Sequence, residues 1–238
     1  MKKTITDILL FLFGAVLLLI TYVAAFAQGA HSQLQQNAES VQNVSQHSET
    51  TAISSEYGVR INGVRWTTRN VCAPGTFTEN PEDAGMFFQW NRRKGWYAIY
   101  PCEEIPVEGW DSSDAPGNVW ERENNPCPPG WRVPNQFELQ RLVEAGSEWR
   151  VINRQPGRLF GNYPYQIFLP AAGGRNDADG SLSPILMFGG IWGNTQNGSE
   201  SAWGLTFGIL GAGVAGNFWR AYGLSVRCVE DWLSHIGR

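Results

Sequence analysis

Two stretches decide the fold of this chain: Cys127-Pro-Pro-Gly-Trp-Arg-Val-Pro134 and, near the C-terminus, Leu224-Ser-Val-Arg-Cys228. They bracket a segment that is rich in glycine and tryptophan and has almost no side chains typical of catalysis. The chain has four cysteines, which allow two disulfides in three connectivities or four unpaired buried thiols. A zinc site is disfavoured, because no CxxC spacing occurs and no histidine lies between residues 48 and 234. The pattern indicates a disulfide-closed binding scaffold rather than an enzyme.

Four motifs occur in the same order in one bacterial family: Gly63-Val-Arg-Trp66, the Cys127 motif, Phe168-Leu-Pro-Ala-Ala-Gly-Gly-Arg175 and Ser225-Val-Arg-Cys-Val229. Over residues 57–232 the chain resembles a Fibrobacter succinogenes major paralogous domain. The resemblance implies an α+β, C-type lectin-like fold. Such a fold has small mixed or antiparallel sheets, one main helix and long irregular loops. A fold of this kind says little about the ligand.

The resemblance also implies which cysteines pair. In the family's pattern Cys127 forms a disulfide with Cys228. The usual family member lacks a cysteine where Cys72 stands, so Cys72 and Cys102 are expected to form an added local pair. We therefore expect the disulfides Cys127–Cys228 and Cys72–Cys102.

The N-terminal segment has the pattern of an export signal. Lys2 and Lys3 precede an apolar run, and Ala25-Phe-Ala27 is typical of a cleavage site. We expect a signal peptide over residues 1–27; the alternative is a retained membrane anchor, because the apolar run is long enough to span a bilayer. Residues 28–56 are rich in Gln, Ser and Asn without periodicity, which predicts a disordered linker. The folded domain then covers residues 57–232, and residues 233–238 form a tail.

Local signals within the domain predict individual elements. Asn62-Gly63 between apolar residues predicts a tight hairpin. Asn135 as N-cap, Glu138 three residues later and Gly146 as terminator predict a helix over about residues 135–146. Further strands are expected at 167–169, 189–192, 202–207 and 224–229, with a turn at Asp179-Gly180.

The sequence offers little for catalysis. Its three histidines lie in the linker and the tail, away from any nucleophile in the domain. The paired acids Glu103-Glu104 and Glu121-x-Glu123 are typical of solvated loops, and Asn176-Asp-Ala-Asp-Gly180 lacks the further acids of a calcium loop. We therefore expect no enzyme activity, no cofactor and no metal. An enzyme of the related formylglycine-generating fold is the less favoured alternative, since it would need a reactive cysteine pair that the C-terminal half lacks.

The stretch from 191 to 222 combines tryptophans with runs of small residues, and we expect it to be a loop face that meets a ligand. Its predicted ligand-binding residues are Trp192, Asn194, Gln196, Asn197, Trp219, Arg220 and Tyr222. Related domains include targets of diversity-generating retroelements, which implies a hypervariable surface; an ordinary glycine-rich loop is the alternative. The positions compatible with such substitution are Gly193, Gly204, Thr206, Gly208, Ile209, Leu210, Gly211, Gly213, Val214, Ala215, Gly216 and Phe218.

These features together predict a secreted or cell-surface adhesion protein whose partner is an extracellular protein or glycan. The formal net charge is −4, and it becomes −5 once residues 1–27, with two lysines and one aspartate, are removed. This acidity argues against a nucleic-acid partner. A membrane would be contacted only through an uncleaved N-terminal segment. The alternative function is a structural subunit of a surface assembly, such as a pilus or outer-surface complex.

Overall fold

The computed structural model describes residues 58–98, 107–183 and 187–232. The predicted signal peptide, the linker and the tail lie outside these residues, and so does Cys102. Within the described ranges, no helix is long and apolar enough to cross a membrane.

The described residues form mainly β-strands. In chain order the strands are β1 (Val59–Ile61), β2 (Val64–Asn70), β3 (Met86–Gln89), β4 (Gly95–Tyr97), β5 (Trp131–Arg132), β6 (Ser147–Ile152), β7 (Gln155–Asn162), β8 (Tyr165–Pro170), β9 (Phe188–Asn197), β10 (Ser201–Gly208), β11 (Gly211–Trp219), β12 (Gly223–Ser225) and β13 (Arg227–Glu230). A 3-10 helix covers Arg122–Asn124, and one α-helix, α1, covers Gln136–Glu144.

The expected α+β class is wrong. Of the described residues, 48% are in strand and 8% in helix, so the fold is β-rich, and it is not clearly C-type lectin-like. The single helix that the sequence signalled does exist. The error lies in stretches expected to be irregular loops, such as residues 211–219, which form strands because they pair with a neighbouring strand.

The first sheet brings three of the sequence motifs together. Its order is β1-β2-β13-β5, and the two-residue turn at Asn62-Gly63 joins β1 to β2 as predicted. Both turn residues have positive φ, 44° and 81°, which asparagine and glycine tolerate well. In the neighbouring pairs, Val229 lies opposite Trp66 on one side and Arg132 on the other. Three of the four strands of this sheet, β2, β13 and β5, therefore come from the motif segments.

The second sheet has six strands in the order β11-β10-β9-β12-β3-β4, and the third has the order β6-β7-β8. In the six-stranded sheet the neighbours are antiparallel except β12 and β9, which run parallel. The expectation that residues 191–222 form a loop face is wrong. Most of them belong to the antiparallel meander β9-β10-β11. The backbone groups of its small residues form hydrogen bonds with the neighbouring strand, which satisfies them in the interior of the sheet.

Helix α1 begins with the predicted capping box. The Asn135 side chain accepts a hydrogen bond from the Glu138 backbone N–H at 2.9 Å, and the Glu138 carboxylate accepts one from the Asn135 N–H at 2.8 Å. Gly146 follows the helix with φ of +82°, a conformation typical of a helix end. Leu139 and Leu142 are fully buried in the cluster that α1 shares with β9, β10 and β11.

The disulfide Cys127–Cys228 is present, as expected. Both cysteines are buried, and 101 positions separate them in the chain. The second expected disulfide, Cys72–Cys102, stays a prediction, because Cys102 lies outside the described residues. Cys72 itself is half-buried.

A fully buried arginine, Arg227 of the Ser225–Val229 motif, connects three strands in the interior. The Arg227 guanidinium donates to Asn70 Oδ1, to the Thr67 carbonyl and to the Phe168 carbonyl, at 2.9, 3.1 and 2.9 Å. Burial lowers the pKa of Arg227 to about 9. The side chain thus connects β2, β8 and β13 in the interior, where its donors are satisfied by neutral acceptors.

Candidate functional site

Trp192, predicted to contact a ligand, lies in the core. Its indole is fully buried, donates from Nε1 to the Phe88 carbonyl at 2.6 Å, and meets the Phe218 ring edge-on at a centroid distance of 6.0 Å. The predicted role is wrong, because a side chain enclosed in this way offers no surface to a ligand.

Arg220 is also buried, with 2% of its surface exposed. Its guanidinium donates to four oxygens at 2.7 to 3.0 Å, the carbonyls of Ala115, Gly117 and Gly198 and the side chain of Gln196, and to the Ser201 carbonyl at 3.5 Å. It also lies 4.4 Å from the centroid of the Trp90 ring. The predicted polar contact with a ligand is therefore wrong. Arg220 instead connects loop 115–117 and the β9-β10 turn to the core. The planar guanidinium, with its five N–H donors, suits this role.

The three predicted amides are engaged inside the protein. Gln196 accepts from Arg220, and Asn197 Nδ2 donates to the Gly216 carbonyl at 2.5 Å. Asn194 accepts a hydrogen bond from the Thr195 hydroxyl, while its backbone pairs with Trp120 and Pro134. These side chains hold the meander together, and Asn194 lies at a separate groove described below.

Trp219 and Tyr222, both predicted to contact a ligand, lie next to each other in the structure. Their rings stack with centroids 5.7 Å apart and planes 7° apart. Trp219 is 49% exposed, and Tyr222 is half-buried. A backbone hydrogen bond of 2.9 Å from Tyr222 N–H to the Trp219 carbonyl closes the turn between β11 and β12. We call this exposed pair the aromatic platform.

The carboxylate of Asp177 lies close enough to Tyr222 of the aromatic platform to act on its pKa. Burial raises the pKa of the Tyr222 hydroxyl, and the charge of Asp177 adds to that effect. Burial also raises the pKa of Asp114, where the charges of Glu200 and Asp177 add to the shift and Arg220 opposes it. The platform therefore combines a flat apolar face with hydrogen-bond acceptors, a combination that suits hydroxyl-rich or cationic ligands.

A small pocket of about 260 Å³ adjoins the platform at Tyr222, with Asn217, Phe218 and Leu224 in its wall. This volume is slightly below the range of about 300–1,000 Å³ common for complete small-molecule sites. The pocket can extend the platform but does not form a site without it.

A larger groove of about 860 Å³ runs beside the Cys127–Cys228 disulfide. We call it the disulfide groove. Its walls include Arg93, Arg122, Trp131, Arg132, Asn194 and Asp231. Sequence reasoning did not find this site, although the Cys127-Pro-Pro-Gly-Trp-Arg132 stretch already places an aromatic and a cation next to the disulfide.

The small residues of the meander differ in the space around them. A Cβ atom at Gly211 or Gly213 would meet nothing within 4 Å. At Gly193 it would lie 2.8 Å from the Trp203 carbonyl oxygen, and at Gly204 3.0 Å from the Ile191 carbonyl oxygen. The prediction that Gly193 and Gly204 tolerate substitution is therefore wrong, because backbone atoms occupy the space that a side chain needs.

The candidate catalytic and metal features do not form a site in the described residues. Asn176 and Asp179 accept hydrogen bonds from the backbone of Ala178 and Ser181, so this segment is a turn, as predicted. Glu121 and Glu123 are exposed, and Glu103-Glu104 lies outside the described residues. In residues 58–98, 107–183 and 187–232, no three His, Cys, Asp or Glu side chains cluster in a way that could hold a metal ion.

Comparison with known proteins gives no relative: no family model matches this chain, and no curated protein and no solved structure matches it. The resemblance to the Fibrobacter succinogenes major paralogous domain therefore stays a prediction from four sequence motifs.

Proposed function

We propose that this chain is an exported or cell-surface binding protein that recognises a glycan or a protein through the aromatic platform of Trp219 and Tyr222. The observation that carries the proposal is the stack of these two nearly parallel rings, in which Trp219 is 49% exposed. Stacked aromatic faces bind pyranose rings and act as anchors in protein interfaces.

The exposure of Trp219 stands out against the other tryptophans. All eleven lie in the described residues, and only Trp219 and Trp232 are exposed. The Trp232 ring is covered on one side by the Arg60 guanidinium at 5.5 Å. Trp219 is stacked on Tyr222 and remains 49% exposed, so part of its ring is open to a ligand.

The platform is also held rigidly. Arg220, between the two rings in sequence, is buried with four hydrogen bonds to surrounding oxygens. A surface that is already ordered loses less conformational entropy when it binds. The carboxylates of Asp114, Asp177 and Glu200 supply acceptors for sugar hydroxyls or for basic groups of a protein partner.

Export is part of the proposal and is supported by two features. Residues 1–27 have the pattern of a signal peptide, and the buried disulfide suits an oxidising compartment. Membership of the Fibrobacter succinogenes major paralogous domain family is proposed on the same footing. Within β11, Gly211 and Gly213 have room for larger side chains, and they lie at the end of the strand opposite Trp219.

The test is binding of the full-length protein to a glycan array and to a panel of extracellular proteins. The variant Trp219→Ala removes the exposed ring and should abolish binding while the thermal melting curve stays unchanged. Tyr163→Ala is the matched control, because Tyr163 is an aromatic residue with 89% exposure on the distant β7-β8 hairpin. A ligand that binds the Trp219→Ala protein as well as the original would refute the platform. A ligand-free protein that instead co-purifies with stable partner subunits would support the alternative of a surface assembly.

A further inference from the structure

We infer a second binding site, independent of the aromatic platform: the disulfide groove binds a saccharide that carries carboxylate groups. Its volume of about 860 Å³ lies within the range of about 300–1,000 Å³ common for ligand sites. It is therefore large enough for an oligosaccharide of a few residues.

The groove is rigid on the side of the disulfide. Cys127 is bonded to Cys228 in the core, and Pro128 and Pro129 follow it directly. Proline fixes φ, and the disulfide fixes the start of the segment, so this wall is ordered before a ligand arrives.

Of the three arginines that line the groove, two have no carboxylate partner among the residues that the structure describes. Arg132 is neutralised, because it forms a two-pronged ion pair with Glu138 at 2.7 and 2.8 Å. Arg93 donates only to the Asn125 carbonyl, at 2.6 Å. Arg122 is exposed, and among the described residues neither Arg93 nor Arg122 forms an ion pair. Arginine presents a planar fork that matches a carboxylate, so these two side chains are suited to bind one.

The remaining walls favour a sugar over a peptide. Asn194 lines the groove with its side-chain oxygen engaged by Thr195, which directs its amide N–H groups to other acceptors. Trp131 is half-buried and is held by Phe77, whose ring meets it edge-on at 6.2 Å. One aromatic wall among polar groups suits the face of a sugar ring, whereas peptide side chains need apolar pockets. Asp231 also lines the groove, and its negative charge repels a ligand that carries many carboxylates.

The test is calorimetric titration of the full-length protein with trigalacturonate, sialyllactose and a hyaluronan tetrasaccharide. We expect at least one of them to bind with a Kd below about 1 mM and to bind more weakly as salt is raised. The methyl ester of the bound sugar keeps the rings but loses the charge, and its Kd should be at least about tenfold higher.

Variants then locate the site. Arg93→Gln with Arg122→Gln should raise the Kd of the acidic sugar by about thirtyfold or more, since two charge-assisted interactions are lost. Arg141→Gln is the matched control: it removes an exposed arginine of helix α1 that is not part of the groove, and the Kd should not change. The variant Trp219→Ala should bind the acidic sugar normally, which separates this site from the platform.

Several results would overturn the inference. They are no binding of any of the three sugars below about 1 mM, equal binding of the ester, and an unchanged Kd in the double arginine variant. Tighter binding of the peptide Glu-Glu-Glu than of every acidic sugar would also refute a saccharide site, because the groove would then select a peptide.

Discussion

Replacement of Arg220 by methionine distinguishes a structural role from a ligand contact. Methionine keeps most of the length of the side chain but removes all its donors. Four oxygens then lose their partner: the carbonyls of Ala115, Gly117 and Gly198 and the Gln196 side chain. The variant therefore tests whether Arg220 is needed to hold loop 115–117 to the core.

The size of the effect follows from where these oxygens lie. Gly198 is exposed and the Gln196 amide can rotate, so both regain hydrogen bonds with water. Ala115 is buried and Gly117 is half-buried, and each unsatisfied buried acceptor costs about 1–3 kcal/mol. Loss of the contact with the Trp90 ring adds about 1 kcal/mol, while relief from burying a charge offsets part of the total. We expect the free energy of unfolding to fall by about 3–4 kcal/mol.

The assay is urea unfolding of the full-length protein followed by tryptophan fluorescence, with the midpoint and the slope compared between variants. Arg220→Lys keeps the charge but cannot reach four oxygens at once, so it should lose more than half of the same stability. Arg141→Met is the control and should change the unfolding free energy by less than about 0.5 kcal/mol. If Arg220→Met stays within about 1 kcal/mol of the original protein and still loses its ligand, the structural reasoning is refuted.

Two further predictions concern other parts of the fold. Replacement of Cys127 and Cys228 by alanine should lower the unfolding free energy by about 3–5 kcal/mol, since the bond closes a loop of about a hundred residues; an unchanged urea midpoint would contradict this. Hydrogen bonds from Arg92 and Ser113 lower the pKa of Asp111 to about 2, below its unfolded value of 3.8. The ionised Asp111 carboxylate therefore stabilises the fold above about pH 4, and this stabilisation is lost as the pH falls towards 2. It stays below about 1 kcal/mol because the Asp111–Arg92 pair is exposed. NMR titration of Arg92→Gln should return this pKa towards 3.8, and a pKa that stays near 2 would assign the shift to another group.

The elements that the sequence predicted well depend on local chemistry. Asn62-Gly63 makes a hairpin because both residues accept positive φ. Asn135 and Glu138 start a helix because each side chain satisfies the backbone N–H of the other. In both cases the partners are at most three residues apart, so the spacing along the chain contains the required information.

The elements that the sequence predicted badly depend on partners outside the element itself. Strand β11 consists mostly of glycine and alanine, which have low strand propensity, and it forms because β10 offers a pairing edge. Trp192 and Arg220 were expected on the surface, yet both are buried, because Phe88 and loop 115–117 cover them from elsewhere in the chain.

The candidate site was predictable to a similar degree. Trp219 and Tyr222 are three positions apart across a turn, and the sequence already singled out both as contact residues. The disulfide groove was missed because its walls come from segments as far apart as Gly75, Arg93, Trp131, Asn194 and Asp231. No short motif contains such a constellation.

The position of β13 has a consequence for the order of folding. This strand, at residues 227–230, lies between β2 and β5, and β12 likewise lies between β9 and β3. Two of the three sheets therefore have a central strand from the last residues of the folded domain. Neither sheet can form its full set of backbone hydrogen bonds until residues 223–230 have paired with strands as far back in the chain as β2 and β3. Pairing over such distances also slows folding.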